Sequence, residues 1–215
     1  MLSRRHFILA ALVGSLLSVM PVAAHAQNEQ AAMQFVASLA DRTIGTMRAK
    51  DLSDTQRATQ FRQLFVSAVD VPTIGKLVLA RHWRTASPEQ RERFLKLFED
   101  VVVLTWSRRF KDVADNVKLD VVAAKPDVDD GIQVESRIAR ETDAPVPLIW
   151  RLRPADNSFK VVDLIAEGTS MVFTYREEYA SAINKHGGNV QGLLDDLQKL
   201  VERLSAPEPA ANKGG

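Results

Sequence analysis

The chain has 215 residues, with 28 Lys+Arg against 27 Asp+Glu and no cysteine. So even a balance leaves no global field to draw it onto nucleic acid or an anionic membrane. The missing thiols exclude disulfides, thiolate metal sites and cysteine nucleophiles.

The first 26 residues differ from the rest. Arg4 and Arg5 form a basic opening, an uncharged apolar stretch runs from Phe7 to Met20, and Pro21 breaks it ahead of Ala24-His25-Ala26, an A-x-A-like site before Gln27. This layout is that of a cleaved export signal; a bilayer span needs roughly 20 apolar residues, and this run falls short. Ser3-Arg4-Arg5-His6-Phe7-Ile8-Leu9 also has the twin-arginine pattern, so the general secretory and twin-arginine routes both fit. Removing the signal takes two arginines and no acid, which leaves 26 basic against 27 acidic side chains. No second long apolar segment follows, so the mature chain is expected to be soluble. Residues 27–205 are long enough to bury one core as a single domain, and the Pro/Ala/Gly/Lys tail at 206–215 is expected to be disordered.

Helical spacing opens the mature chain. A helix from about Glu29 to Arg48 carries Phe35, Val36, Leu39 and Ile44 on one face. Ser53 and Gln56 form a capping box for a second helix with Phe61, Leu64 and Phe65. Pro72, after Asp70 and Val71, marks a short helix with Ile74, Leu77 and Val78 on its apolar side. Ser87-Pro88-Glu89-Gln90 supplies an N-cap, a proline at the first helical position and polar first-turn groups. From there Phe94, Leu95, Leu97, Phe98, Val101, Val102, Thr105 and Trp106 keep helical spacing. That bulky, aromatic stripe belongs against a core or a cavity.

After Asn116 the period becomes two: Val117, Leu119, Val121; then Ile132, Val134, Ile138; then Leu148, Trp150, Leu152; then a fourth run from Phe159 to Glu167. The joints at Asp127–Gly131, Thr142–Pro145 and Pro154–Ser158 are short and turn-like. They predict a four-stranded antiparallel meander with one buried face. Gly168 ends the fourth strand and Ser170 caps a helix with Met171, Val172, Tyr175, Tyr179 and Ile183 on one side. Gly187-Gly188 stops it, and Asn189 caps a last helix striped with Leu193, Leu194, Leu197, Leu200, Val201 and Leu204. The fold class is α+β, with helices packed on one face of a curved antiparallel sheet.

Catalytic constellations are absent. The mature chain has two histidines, His82 and His186, in separate helical regions and without metal-ligand spacing. No nucleophile elbow, phosphate loop or dinucleotide fingerprint is present. Asp127, Asp129 and Asp130 read as the solvated acids of a hairpin turn, not a calcium loop. Asp163 and Glu167, near the end of the fourth strand, read as partners of Arg176 that anchor the following helix; a general base facing an open pocket is the alternative. Arg108, Arg109 and Lys111 suit the negative end of the long helix, with a head-group contact for an anionic lipid as the sharper possibility.

Two blocks of residues carry a family resemblance. The first is Val69-Asp70-Val71-Pro72-Thr73-Ile74, Leu77-Val78-Leu79-Ala80-Arg81-His82-Trp83-Arg84 and Ser87-Pro88-Glu89-Gln90, leading to Phe94 and Phe98. The second is Val162-Asp163-Leu164, Glu167-Gly168-Thr169-Ser170-Met171, Thr174-Tyr175-Arg176, then Gly187-Gly188 and Leu193-Leu194. Together, from about Ala31 to Leu204, they resemble the MlaC, or toluene-tolerance, family of periplasmic phospholipid-binding proteins. Ala80, Trp106 and Tyr179 depart from residues usual there (glycine, tyrosine and phenylalanine).

The resemblance implies an NTF2-like fold around an apolar cavity that takes acyl chains. It implies a non-enzymatic carrier, without cofactor or metal. The carrier would shuttle phospholipid between an outer-membrane lipoprotein complex and an inner-membrane ABC transporter with its substrate-binding membrane component, which maintains outer-membrane lipid asymmetry. The expected lining is Leu39 from the first helix, Val78 and Trp83 before the long helix, and Phe94, Phe98, Val101, Val102 and Trp106 on it. Trp150, Val162 and Leu164 on the strands and Met171, Val172 and Tyr175 on the next helix complete it. A carrier of another envelope lipid such as a hopanoid, an NTF2-like enzyme with Asp163 or Glu167 as base, and an envelope interaction module with a filled interior are the other readings.

Overall fold

A computed structural model describes residues 21–113, 117–140 and 144–206. Its elements run α1 (Pro21–Arg48), α2 (Asp54–Ala68), α3 (Val71–Leu79), α4 (Arg81–Thr85), α5 (Pro88–Val113), β1 (Val117–Pro126), β2 (Ile132–Arg140), β3 (Val146–Ala155), β4 (Ser158–Ala166), β5 (Thr169–Ser170), α6 (Met171–Lys185) and α7 (Val190–Ser205). Most of the predicted export signal and the tail beyond Ala206 lie outside the described residues, as does part of the Thr142–Pro145 joint. α1 is already helical at Pro21, the first described residue, eight residues ahead of the expected Glu29.

Local chemistry sets the helix starts. Ser53 Oγ accepts from Gln56 N while Gln56 Oε1 accepts from Ser53 N, a complete capping box. Ser87 and Gln90 repeat it at α5. Asp70 accepts from Thr73 N, Ser170 from Phe173 N and Asn189 from Gln191 N. At the end of α6, Gly187 and Gly188 take φ values of 66° and 84°, and Gly188 N donates to Ile183 O. This left-handed exit is one that glycine enters without a Cβ clash.

The sheet is an antiparallel meander in the order β1-β2-β3-β4-β5. To the four expected strands it adds the two-residue β5, folded back on β4 through Glu167 and Gly168, both at positive φ. Register shifts leave Val122 in β1 and Val162 in β4 as bulged residues, and bulges bend and twist a strand. One face carries Leu119, Val134, Leu148, Trp150, Leu152 and Val161; the other carries Lys118, Asp120, Glu135, Arg137 and Arg151. Helix α1 crosses the apolar face, where Ala32 and Val36 are fully buried against Ile132, Val134, Leu152 and Val161.

The larger core belongs to α3, α5, α6 and α7, around Phe94, Phe98, Leu79, Ile183, Leu193 and Leu194. A third cluster, Met47, Phe61 and Val103, joins the end of α1 to α2 and α5. There Arg57, only 8% exposed, donates through Nη1 to the carbonyls of Thr46, Met47 and Ala49 and through Nη2 to that of Leu52. It satisfies carbonyls that the end of α1 leaves without intrahelical partners.

Candidate lipid-binding site

The helical wall of the site is an aromatic stack. Phe94 and Phe98, one turn apart on α5, lie nearly parallel with ring centroids 5.8 Å apart. From α6, Tyr179 meets Phe94 edge-on at 5.9 Å and Tyr175 meets Phe98 edge-on at 5.5 Å. Edge-to-face contacts of this kind are worth about 0.5–1.5 kcal/mol beyond the area they bury. Val78, Val101 and Val102 are buried in the same cluster, and Trp83, Trp106 and Val172 pack against it half-buried. The Arg91 guanidinium covers the Trp83 ring at 5.5 Å, and its Nε donates to Trp83 O.

The remaining predicted residues sit elsewhere. Leu39 and Trp150 pack in the cluster between α1 and the sheet. Trp150 stands across the ladder from Leu164, and its indole N–H donates to Ser136 Oγ at 2.9 Å. Ser136 is 2% exposed, and the strand periodicity marked its face without marking it as a partner. Val162 is the buried extra residue of the β4 bulge; Leu164 and Met171 are half-buried where α6 packs on β4. Thus Phe94, Phe98, Val78, Val101 and Val102 are covered by neighbouring side chains. Trp106, Trp150, Leu164, Met171, Val172 and Tyr175 keep apolar surface free, on two helices and two adjacent strands.

Polar groups around this wall are tied down. Asp163, 7% exposed, accepts from Leu164 N at 2.8 Å, Ser170 Oγ–H at 2.6 Å and Val172 N at 3.1 Å. It anchors α6 to the sheet, as expected of the acid, but without Arg176. That side chain lies over Phe173 at 5.9 Å and pairs with Glu177 at 3.8 Å. A short carboxylate can hold backbone N–H groups of the next element where a long, exposed arginine gains little. Glu167 is exposed in the β4–β5 turn. Burial pushes the Tyr175 phenol up, with the nearby Glu178 adding to this and Trp106 and Arg109 opposing it. Burial, reinforced by Tyr175 and Glu178, drives the Tyr179 phenol far above its usual range.

The turn acids are pinned rather than merely solvated: Asp127 accepts from Arg151 Nε at 2.7 Å and Gln133 Nε2 at 2.9 Å, and Asp129 from Arg153 at 3.0 Å. His186 bonds Asp196 at 2.7 Å, and burial, helped by the neighbouring Arg81 charge, lowers His82. Among the described residues no group of three or more His, Asp and Glu side chains is placed to hold a metal ion. A surface groove of about 660 Å³ borders the Phe94–Phe98 core from its outer side, through Val69, Val71 and Leu95. Val66, Asp70, Pro72, Leu95, Lys96, Glu99, Ala155 and Lys160 are among its lining residues, which include none of the fourteen expected from sequence.

Known proteins resemble the chain in sequence and in fold. The chain is 24% identical over 139 residues to the "Intermembrane phospholipid transport system binding protein MlaC" of Haemophilus influenzae, covering 63% of this chain and 64% of that protein. It is 23% identical over 128 residues to the "Toluene tolerance protein ttg2D" of Pseudomonas putida, covering 59% of each. It thus spans less than two thirds of either relative's length. The fold matches that of a phospholipid-binding protein from Ralstonia solanacearum, solved in complex with a phospholipid, at a TM-score of 0.68 and 24% identity, over 81% of this chain and 99% of that one. The family model described as MlaC protein matches residues 37–199, from within α1 to within α7, and the chain belongs to that family.

Proposed function

We propose that the chain is a periplasmic phospholipid carrier that makes and breaks no covalent bond. The observation that carries this is the set of half-buried apolar residues, Trp106, Val172 and Tyr175 on the helical core and Trp150, Leu164 and Met171 on β3, β4 and the start of α6, in a chain of the MlaC family. Two acyl chains hold on the order of 30 methylenes, each worth roughly 0.8 kcal/mol of transfer free energy, or about 25 kcal/mol in all. A surface patch of about 400 Å² recovers only about 10 kcal/mol, so a carrier needs two facing apolar walls. Acyl chains cover the surface that the half-buried residues of α5, α6 and the sheet leave open, while the Phe94–Phe98 core stays closed.

Residues 1–26 act as the export signal, 27–205 form the carrier domain, and the partners are an outer-membrane lipoprotein complex and an inner-membrane ABC lipid transporter. Among the described residues no helix is long and apolar enough to cross a membrane, which accords with shuttling between two membranes. The acids argue against the enzyme reading: Asp163 is occupied by three donors, and Glu167 points from an exposed turn. Organic extraction of the purified protein followed by mass spectrometry is expected to yield phospholipid. A lipid-free protein that takes up no labelled phospholipid would overturn the proposal.

A further inference from the structure

Beside the apolar wall, hydrogen-bond donors from α5 and α6 come together. Arg109, exposed near the end of α5, lays its guanidinium over the Trp106 ring with Cζ 5.4 Å from the centroid. Tyr175 faces α5 from α6 through its edge-on contact with Phe98. Its hydroxyl lies beside the Trp106 indole and within the fields of Arg109 and of Glu178, one turn further along α6. Trp106 and Tyr175 are half-buried and Arg109 is exposed, so the set marks a rim where apolar interior meets water. A guanidinium held against an aromatic face presents its N–H fork in a fixed plane. The single indole N–H of Trp106 is directed to the Tyr175 oxygen, so the guanidinium fork and the phenol O–H are the donors offered to the oxygens of one tetrahedral anion.

We propose that Arg109, with Trp106 and Tyr175 beside it, binds the phosphate of the lipid headgroup at this rim. The proposal rests on the lipid-carrier reading and adds to it the contact that keeps the polar end of the lipid outside. Glu178 acts on the same phenol as Arg109, so the ammonium of a zwitterionic headgroup has a carboxylate to approach. The neighbouring Arg108 is engaged differently, donating to Ala206 O at 2.7 Å.

The test compares, on the full chain stripped of lipid, displacement of a fluorescent phospholipid by a phosphatidylcholine and by a diacylglycerol with the same acyl chains. Phosphatidylcholine is expected to bind roughly tenfold tighter, the scale of one charge-assisted hydrogen bond. Arg109→Gln is expected to close most of that gap while leaving diacylglycerol binding and thermal melting unchanged; Arg109→Lys closes part of it, and Arg108→Gln none. An unchanged gap in Arg109→Gln, or no gap in the wild type, overturns the proposal. Inorganic phosphate at millimolar concentration is expected not to displace the probe; displacement would reassign the site to the free ion and overturn the headgroup assignment. If neither lipid binds, the carrier reading falls and takes this contact with it.

Discussion

Tyr179 places a phenol inside the aromatic stack with nothing to receive its proton. The residue is 6% exposed, its ring is edge-on to Phe94 and Phe98 at 5.9 and 6.3 Å, and its hydroxyl has no hydrogen-bond partner among the described residues. Tyr179→Phe keeps the ring and both edge contacts and removes only the oxygen. A buried, unpaired hydroxyl costs about 1–3 kcal/mol, so the variant is expected to be more stable by that amount. With a urea m-value of about 2 kcal/mol/M, the midpoint should rise by roughly 0.5–1.5 M at unchanged m. Equilibrium urea unfolding of lipid-stripped protein, followed by tryptophan fluorescence, reads the shift. A variant of lower midpoint would refute the reasoning, because it would mean that the hydroxyl has an acceptor in the folded protein.

Four further outcomes are expected. Ala80 holds φ 48° and ψ −120°, a conformation glycine adopts freely and alanine does not, so Ala80→Gly should stabilise by about 1 kcal/mol in the same unfolding assay. Arg57→Met leaves carbonyls at the end of α1 without their donors and should destabilise by about 3 kcal/mol or more, read as a fall in thermal midpoint. Burial pushes the Asp127 carboxyl up, but Arg151, the Val128 N–H and Gln133 together hold it below the usual carboxylate range. Its contribution to stability is therefore present above the unfolded-state value near pH 4 and lost as pH falls through the lower folded value, so Asp127→Asn should flatten that part of the acid limb in pH-dependent melting. Phe94→Ala, in the closed core, should cost about 3–5 kcal/mol of stability, whereas Leu164→Ser should weaken phospholipid uptake severalfold with a much smaller loss of stability.

Helix starts were legible because a cap is a local contract between residues three apart: Ser53 with Gln56, Ser87 with Gln90 and Ser170 with Phe173 each form where the spacing placed them. The strands were legible because a single buried face imposes a period of two. The bulges at Val122 and Val162 were not, since a bulge belongs to the pairing of two strands and not to either alone. Arg57 was missed because its partners are backbone carbonyls, which have no sequence signature. The Arg176 pairing failed because Ser170 and the Val172 N–H, nearer along the chain, reach Asp163 first. In the site, periodicity placed Phe98 and Trp106 on one face of α5 but carried no information about what covers that face.

That last difference separates two duties within one apolar stripe. Along α5, Phe94 and Phe98 are at most 2% exposed and bound to α6 by edge contacts, while Trp106, two turns on, is half-buried with a cation over its ring. Close packing makes the first pair costly to part, because separating the rings forfeits their contacts without replacement. At the second, water already meets part of the apolar surface, so an acyl chain that covers it gains transfer free energy without breaking a packed core. Asp163 fixes the start of α6 to the sheet through Ser170 and Val172, and the aromatic contacts at Tyr175 and Tyr179 fix its middle to α5. A helix held at those points keeps Leu164 and Met171 in place at its anchored end, each half-buried, while the Phe94 core stays closed. Sequence patterning fills the whole stripe with the same residue types because both duties require apolar side chains; burial tells the closed scaffold from the surface proposed to meet lipid.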